Sequence, residues 1–432
     1  LPAVPGAENT FKAEDYDVLY DAPFEVSDFK EFKFDVLGKP HRYVITGEGN
    51  YDPKKLVADT AKIVEAGAKI FGGELPYNDY TFILNLRGGG GLEHLNSTAL
   101  QTNRFGFKPD ARYKGFLGLV AHEHFHLWNV KRIRPDALGP FDYENENYTK
   151  LLWVAEGATE YYSNLLLLRA GLITQREFLA QRAGGIQQLQ ARPGRFETSL
   201  EESSFDAWIK YYRQDENAIN NQISYYDKGE IVNMMLDMSI RSASGGTKSL
   251  DDVMRHLWAE FFKKNRNFTP EDYQKVSEMM AGKSLDDFFA KYVRGREDID
   301  YDSIVNAFGL QMKVTTPNAS RAYIGADTVE ENGRLNIRSV PANTPAYEQG
   351  LNTGDQIVAI DGYRASTAFL TSYLTEKKPN DKVKLSIFRF DRLSEITFTL
   401  GGNDRREYSF APVAEPTELQ QKLYRSYFNA DL

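Results

Sequence analysis

Apolar and polar positions alternate with period two across residues 24–49, "FEVSDFKEFKFDVLGKPHRYVITGEG", which predicts strands joined at a Gly38-Lys39-Pro40 turn. From Asp52-Pro53 the period lengthens to that of a helix, with Leu56, Ile63, Val64, Ile70 and Phe71 on one face and Gly72-Gly73 as the stop. "YTFILNLR", residues 80–87, reads as a strand running into a glycine loop at Gly88–Gly91. Helical spacing then dominates from Lys114 to about Gly309, with starts marked by Thr174 and Glu177, by Ser249 ahead of Asp251 and Asp252, and by Thr269-Pro270-Glu271. After residue 310 short β-type runs, "RLNIRSV", "QIVAIDG", "KVKLSIFRF" and "EITFTLGG", surround one helical stretch, "STAFLTSYLTEK". A weaker helical pattern returns at 417–428.

These switches of period predict an α+β multidomain chain: a remnant of a β-rich domain at 1–50, a mostly helical domain with a small sheet at 51–245, a helical extension at 246–312, a small β-rich domain at 313–403 and a tail at 404–432. At 432 residues the chain is long enough to bury several cores. Its 52 basic against 61 acidic residues leave a net charge of −9, a surface that repels phosphate backbones, so nucleic acid is not an expected partner. No apolar run approaches the roughly 18–20 residues that a membrane-spanning helix needs, and the chain reads as soluble. Cysteine is absent, which leaves an exported, periplasmic or cytoplasmic setting equally open. A chain opening on Leu1 without a leader reads as processed or as a fragment.

The chemistry is concentrated in "VAHEHFHLWNVKRIRP", residues 120–135, which holds three of the six histidines. His122 and His126 are one helical turn apart and project from one face, as two ligands of one metal ion must. Glu123 stands beside the first, within reach of a reacting water. His124 points elsewhere and is no ligand. The alternative is a pair of satisfied core or surface histidines, although the apolar "YKGFLGLVA" ahead of them calls for a reason to bury two. A carboxylate from a second helix can complete such a site, and "LLWVAEGATEYYSNLLLL" offers Glu156, with Glu160 one turn on as a hydrogen-bond acceptor for a ligand histidine; either carboxylate facing solvent is the competing reading. The basic "NVKRIRP" run reads as charge placed for the helix C-terminus, with a substrate site as the competing reading.

"HEHFHLWNVKRIRP", "LLWVAEGATEYY" and "SYYDKGEIVNMML" together closely resemble the glycyl aminopeptidase family, which is grouped with the aminopeptidase N-like and thermolysin-like zinc peptidases. The resemblance covers about residues 50–405 and implies a thermolysin-like catalytic domain, one zinc ion held by His122, His126 and Glu156, Glu123 as general base, and Tyr226 of "YDKG" as donor to the tetrahedral oxyanion. Asp227 stands where the related motif has glutamate. "GGGGLEHLNST" resembles the segment that receives a substrate's amino terminus. That makes Glu93 the anchor for the ammonium, with Gly90, Gly91 and His94 beside it; Leu92 and His94 depart from the general pattern. A plain flexible turn is the alternative. The substrate backbone is expected along "YTFILNLR".

"NTPAYEQGLNTGDQIVAIDG" resembles PDZ domains, whose groove takes an extended peptide as an added strand; Tyr323, Ile324, Gly325 and Ala326 would form the loop at its mouth. The implied activity is aminopeptidase hydrolysis of peptides, with a family preference for small first residues such as Gly or Ala. A PDZ-type binding protein with a silent peptidase domain and a zinc endopeptidase are the competing functions.

Overall fold

The computed structural model describes residues 1–432, which divide into two compact units: residues 1–178 with 239–284 and 426–428, and residues 179–238 with 285–425 and 429–432. Both mix helices and sheet, so the chain is a multidomain α+β protein.

In the first unit a short helix α1 (Tyr16–Tyr20) precedes a hairpin of β1 (Lys30–Val36) and β2 (Lys39–Thr46). The turn falls at Leu37-Gly38, where φ is +49° and +74°, the left-handed pair that matches the twist of a tight hairpin. Helix α2 (Pro53–Ile70) starts where Asp52 accepts the backbone N–H of Lys54 and Lys55, with Pro53 in the first turn where no N–H is needed. It buries Leu56, Ile63, Val64 and Ile70, and Gly72 and Gly73 follow with φ of +74° and +87°. β3 (Tyr80–Asn85), β4 (Gly90–Glu93) and β5 (Ser97–Gln101) complete a sheet ordered β1-β2-β3-β5-β4.

This order corrects one expectation. β3 is flanked by β2 and β5, both parallel to it, so its backbone hydrogen bonds are used on both sides and no substrate can pair with "YTFILNLR". The sheet's edges are β1 and β4, and the glycines expected as a loop lie partly within β4, since Gly90 and Gly91 pair with Gln101 and Leu100.

Helix α3 (Asp110–Phe125) is apolar almost all round and packs against α2 and against α4 (Thr159–Arg169). Phe125 stacks on Tyr162 of α4 at 4.4 Å, and Trp128, just past α3, stacks on Phe71 at 4.7 Å. Between them, residues 134–151 contain no α-helix, which corrects the continuous helical spacing expected from Lys114 onward; Pro135, Gly139-Pro140 and the Asn-rich run at 145–147 are what break it. The capping boxes at Ser249 and Thr269 form, and Thr174 and Glu177 bond reciprocally.

In the second unit a sheet ordered by residues 392–399, 382–389, 356–360, 334–339 and 327–331 encloses Leu335, Ile337, Ile357, Ile360, Leu385, Ile387 and Phe398. Its edge strand Asp327–Glu331 lies beside the helix Thr367–Thr375, whose Thr367 N–H donates to Glu330 at 2.8 Å. Strand Leu310–Thr315 pairs antiparallel with Glu407–Pro412, within the stretch read from sequence as a tail. No helix is long and apolar enough to cross a membrane.

Candidate metal centre

α3 delivers His122 and Glu123 from its buried last turn, and His126 is the residue that caps its C-terminus. Glu156 comes from Trp153–Ala158, a π-helical stretch leading into α4; such one-turn widenings concentrate at functional sites because they re-aim a side chain. Asn129, 1% exposed, holds that stretch. Its amide donates to the carbonyls of Val154 at 2.8 Å and Ala155 at 3.2 Å and to Thr159 Oγ1 at 3.0 Å.

Three atoms converge. His122 Nε2 and His126 Nε2 are 3.0 Å apart, and Glu156 Oε2 lies 3.2 Å from each. Four-coordinate zinc with ligands at about 2.0–2.1 Å would separate them by about 3.3 Å, so the spacing fits one ion. The other ring nitrogens are occupied: His126 Nδ1 donates to the Asn129 carbonyl at 2.8 Å, and His122 Nδ1 faces Glu160 Oε2 at 2.8 Å. A carbonyl can only accept, so the Nδ1 of His126 carries the proton and its Nε2 offers a lone pair inward. The centre therefore demands a positive charge. Burial works against a charged His122 while Glu156 and Glu160 raise its pKa, and burial works against the Glu156 carboxylate while His126 and His122 hold it well below the usual range.

Glu123 is 5% exposed, and burial pushes its carboxyl up to about 7, partly offset by His126 and His122. One carboxylate oxygen each of Glu93 and Glu123 and a ring nitrogen of His126 lie within 4.8 Å of one another, so the end of β4 meets the end of α3. The contact is close: a Cβ added to Gly91 would stand 2.5 Å from Glu123 Cγ and Cδ. Gly91→Ala should therefore push the carboxylate or the strand aside and lower turnover about 100-fold, the cost of roughly an ångström of misplacement. Steady-state kinetics on a variant of unchanged melting temperature checks this; wild-type turnover would contradict it.

His124 is fully buried against Phe82, stacked at 5.9 Å, with Nε2 3.4 Å from the Tyr77 hydroxyl. His94 lies 3.6 Å from Asp21. Tyr226 belongs to the second unit, just ahead of helix Asp227–Ala243, its ring 4.7 Å from that of Tyr225 and 5.7 Å from that of Tyr211. Ile324 and Ala326 are buried in the core of the small β-rich domain, Tyr323 is half-buried, and a Cβ at Gly325 would strike Pro345 Cδ at 2.7 Å.

The basic run does more than face a helix end. Arg132 donates to the carbonyls of Leu95 at 2.9 Å, Leu127 at 2.8 Å and Pro76 at 2.8 Å, and Lys131 pairs with Asp21 at 2.6 Å. Neither the role of Asn129 nor this network follows from the local spacing of residues. A polar Asn between apolar neighbours in "HLWNV" was the one available signal.

The family model of the M61 glycyl aminopeptidase matches residues 115–232, and that of the PDZ domain matches residues 322–400. The crystal structure of an aminopeptidase N family protein from Idiomarina loihiensis shares 31% sequence identity at a TM-score of 0.89, over 98% of this chain and 76% of that one. An M1 zinc metallopeptidase from Deinococcus radiodurans, 15% identical, aligns over 63% of this chain and 53% of its own at a TM-score of 0.45. A carboxyl-terminal-processing protease from Synechocystis is 28% identical over 172 residues, 38% of this chain and 37% of the protease, so the chain matches little more than a third of that relative. By its identity and shared length with the Idiomarina protein the chain belongs to the aminopeptidase N family of metallopeptidases, its residues 115–232 matching the M61 glycyl aminopeptidase and its residues 322–400 a PDZ domain.

Proposed function

We propose that the chain is a zinc aminopeptidase that removes the first residue of peptides, with small residues such as Gly or Ala preferred. The observation that carries the reading is the convergence of His122 Nε2, His126 Nε2 and Glu156 Oε2 within 3.2 Å, with Glu93 and Glu123 next to it. Those three side chains would hold one zinc, which when bound polarises a carbonyl and makes water easier to deprotonate.

Glu123 is the general base: its buried carboxylate takes the proton of the attacking water and passes it to the departing amine. Burial favours this role, because a carboxyl with a raised pKa both accepts and releases a proton readily near neutrality. Glu160 fixes the His122 ring through Nδ1, and the Asn129 carbonyl fixes His126. Membership of the family would make Tyr226 the hydroxyl donor to the developing oxyanion. An extended substrate adds to the free edge of β4, and Glu93 at the end of that strand receives its ammonium, which stops the chain one residue before the scissile bond. The preference for Gly or Ala rests on family membership. The PDZ groove beside Asp327–Glu331 would hold an extended peptide.

Alanyl peptides with a free amine are expected to be cleaved, and the same peptides N-acetylated to be cleaved at least about 100-fold more slowly, since burying the Glu93 carboxylate without its partner is costly. Chromatography of the products checks both. Equal rates would remove Glu93 from its role and make the enzyme an endopeptidase.

A further inference from the structure

The turn that follows β4 is held from three directions. His94 N–H donates to the Ser97 carbonyl at 3.0 Å, and Thr98 Oγ1 donates to the Leu92 carbonyl at 3.0 Å. The peptide groups of Leu95 are gripped by charge: its carbonyl accepts from Arg132 at 2.9 Å, and its N–H donates to Asp21 Oδ2 at 2.8 Å. Asp21 is the residue that ends α1, and its other oxygen, Oδ1, lies 2.6 Å from Lys131 Nζ and 3.6 Å from His94 Nδ1. The Asp21 and Lys131 side chains are each 16% exposed, so neither is a freely solvated surface charge. Burial pushes the Asp21 carboxyl up, but His94, Lys131 and the Leu95 N–H together hold it below its usual range. Lys131 thus carries a partly buried ammonium beside the turn whose preceding residue is Glu93, and Asp21 is its ion-pair partner.

We propose that Asp21 is a positioning residue for recognition of the substrate's amine: it fastens the turn after Glu93 and neutralises Lys131, so that Glu93 presents an undiminished negative charge to an incoming ammonium. The inference rests on the reading of Glu93 as the amine anchor. Asp21 touches no reacting atom and acts through the field and the backbone. An unpaired ammonium on Lys131 would oppose the attraction between Glu93 and an incoming ammonium, and salt would screen that opposition.

Three variants give opposite signs, read as the KM of an alanyl arylamide with a free amine. Asp21→Asn keeps a hydrogen-bonding oxygen for Leu95 N–H but leaves the Lys131 charge unpaired; KM should rise about tenfold at low salt and about threefold at 0.5 M salt, with kcat within about twofold. Lys131→Met leaves the Asp21 charge unpaired and should lower KM about threefold. The double variant should return to within about twofold of wild type. A merely structural role for Asp21 predicts instead a KM that stays raised in the double variant and does not respond to salt, and that result would overturn the inference. Should Asp21→Asn fail to fold, Lys131→Met alone decides, because a raised KM in that variant contradicts charge masking. Glu93→Gln separates this inference from the reading beneath it. If that variant still prefers the free-amine arylamide over its N-acetyl form, the Glu93 assignment falls. If it loses the preference while Asp21→Asn behaves as wild type, the assignment stands and the role of Asp21 falls.

Discussion

Glu123→Gln should keep the fold and the metal and lose about 10²–10⁴-fold in kcat, the range that general acid–base catalysis contributes. The substitution is nearly isosteric. The side chain is 5% exposed and packed against Gly91, so an amide of the same shape fits the space that the carboxylate fills. What the amide lacks is a site for a proton from water. Glu123 is not one of the three side chains, His122, His126 and Glu156, that would hold the ion, so metal content should remain that of wild type. Kinetics on matched, zinc-loaded samples, with metal measured alongside, checks both halves; turnover within about threefold of wild type would mean that the base lies elsewhere.

Glu156→Gln should act on the metal itself. Its Oε2 lies 3.2 Å from both histidine Nε2 atoms, and it contributes the single negative charge among the three atoms. Removing an outer partner of a ligand costs 10- to 100-fold in affinity, so neutralising a direct ligand should cost more than about 100-fold. A bound ion also stabilises the fold: zinc at about 1,000 times its Kd adds about 4 kcal/mol. Wild-type protein should therefore show a zinc-dependent rise in melting temperature that chelator reverses, and the Glu156→Gln variant should show none at the same free zinc. A variant that binds zinc with unchanged affinity would remove Glu156 from the ligand set.

Much of this was legible in the sequence because it is local. The four-residue spacing of His122 and His126 puts both rings on one face of α3, and the charge of Glu156 stands out in an apolar helix. The period change after residue 310 marks the PDZ region. Three features were not legible, each for a physical reason. The π-helical turn at Trp153–Ala158 has an apolar pattern that an α-helix would share, and what sets it is the strap from Asn129, more than twenty residues away. The sheet order places β5 between β3 and β4, and alternation within one strand cannot reveal which neighbour takes its edge. Asp21 and Lys131 meet across 110 positions, and a single ion pair leaves no period to read.

The most direct test is anomalous X-ray diffraction at the zinc edge from crystals of the zinc-loaded protein. The account predicts one peak per chain, about 2.0–2.2 Å from Nε2 of His122, Nε2 of His126 and a carboxylate oxygen of Glu156. A peak at other residues, or none beside these three, would contradict it.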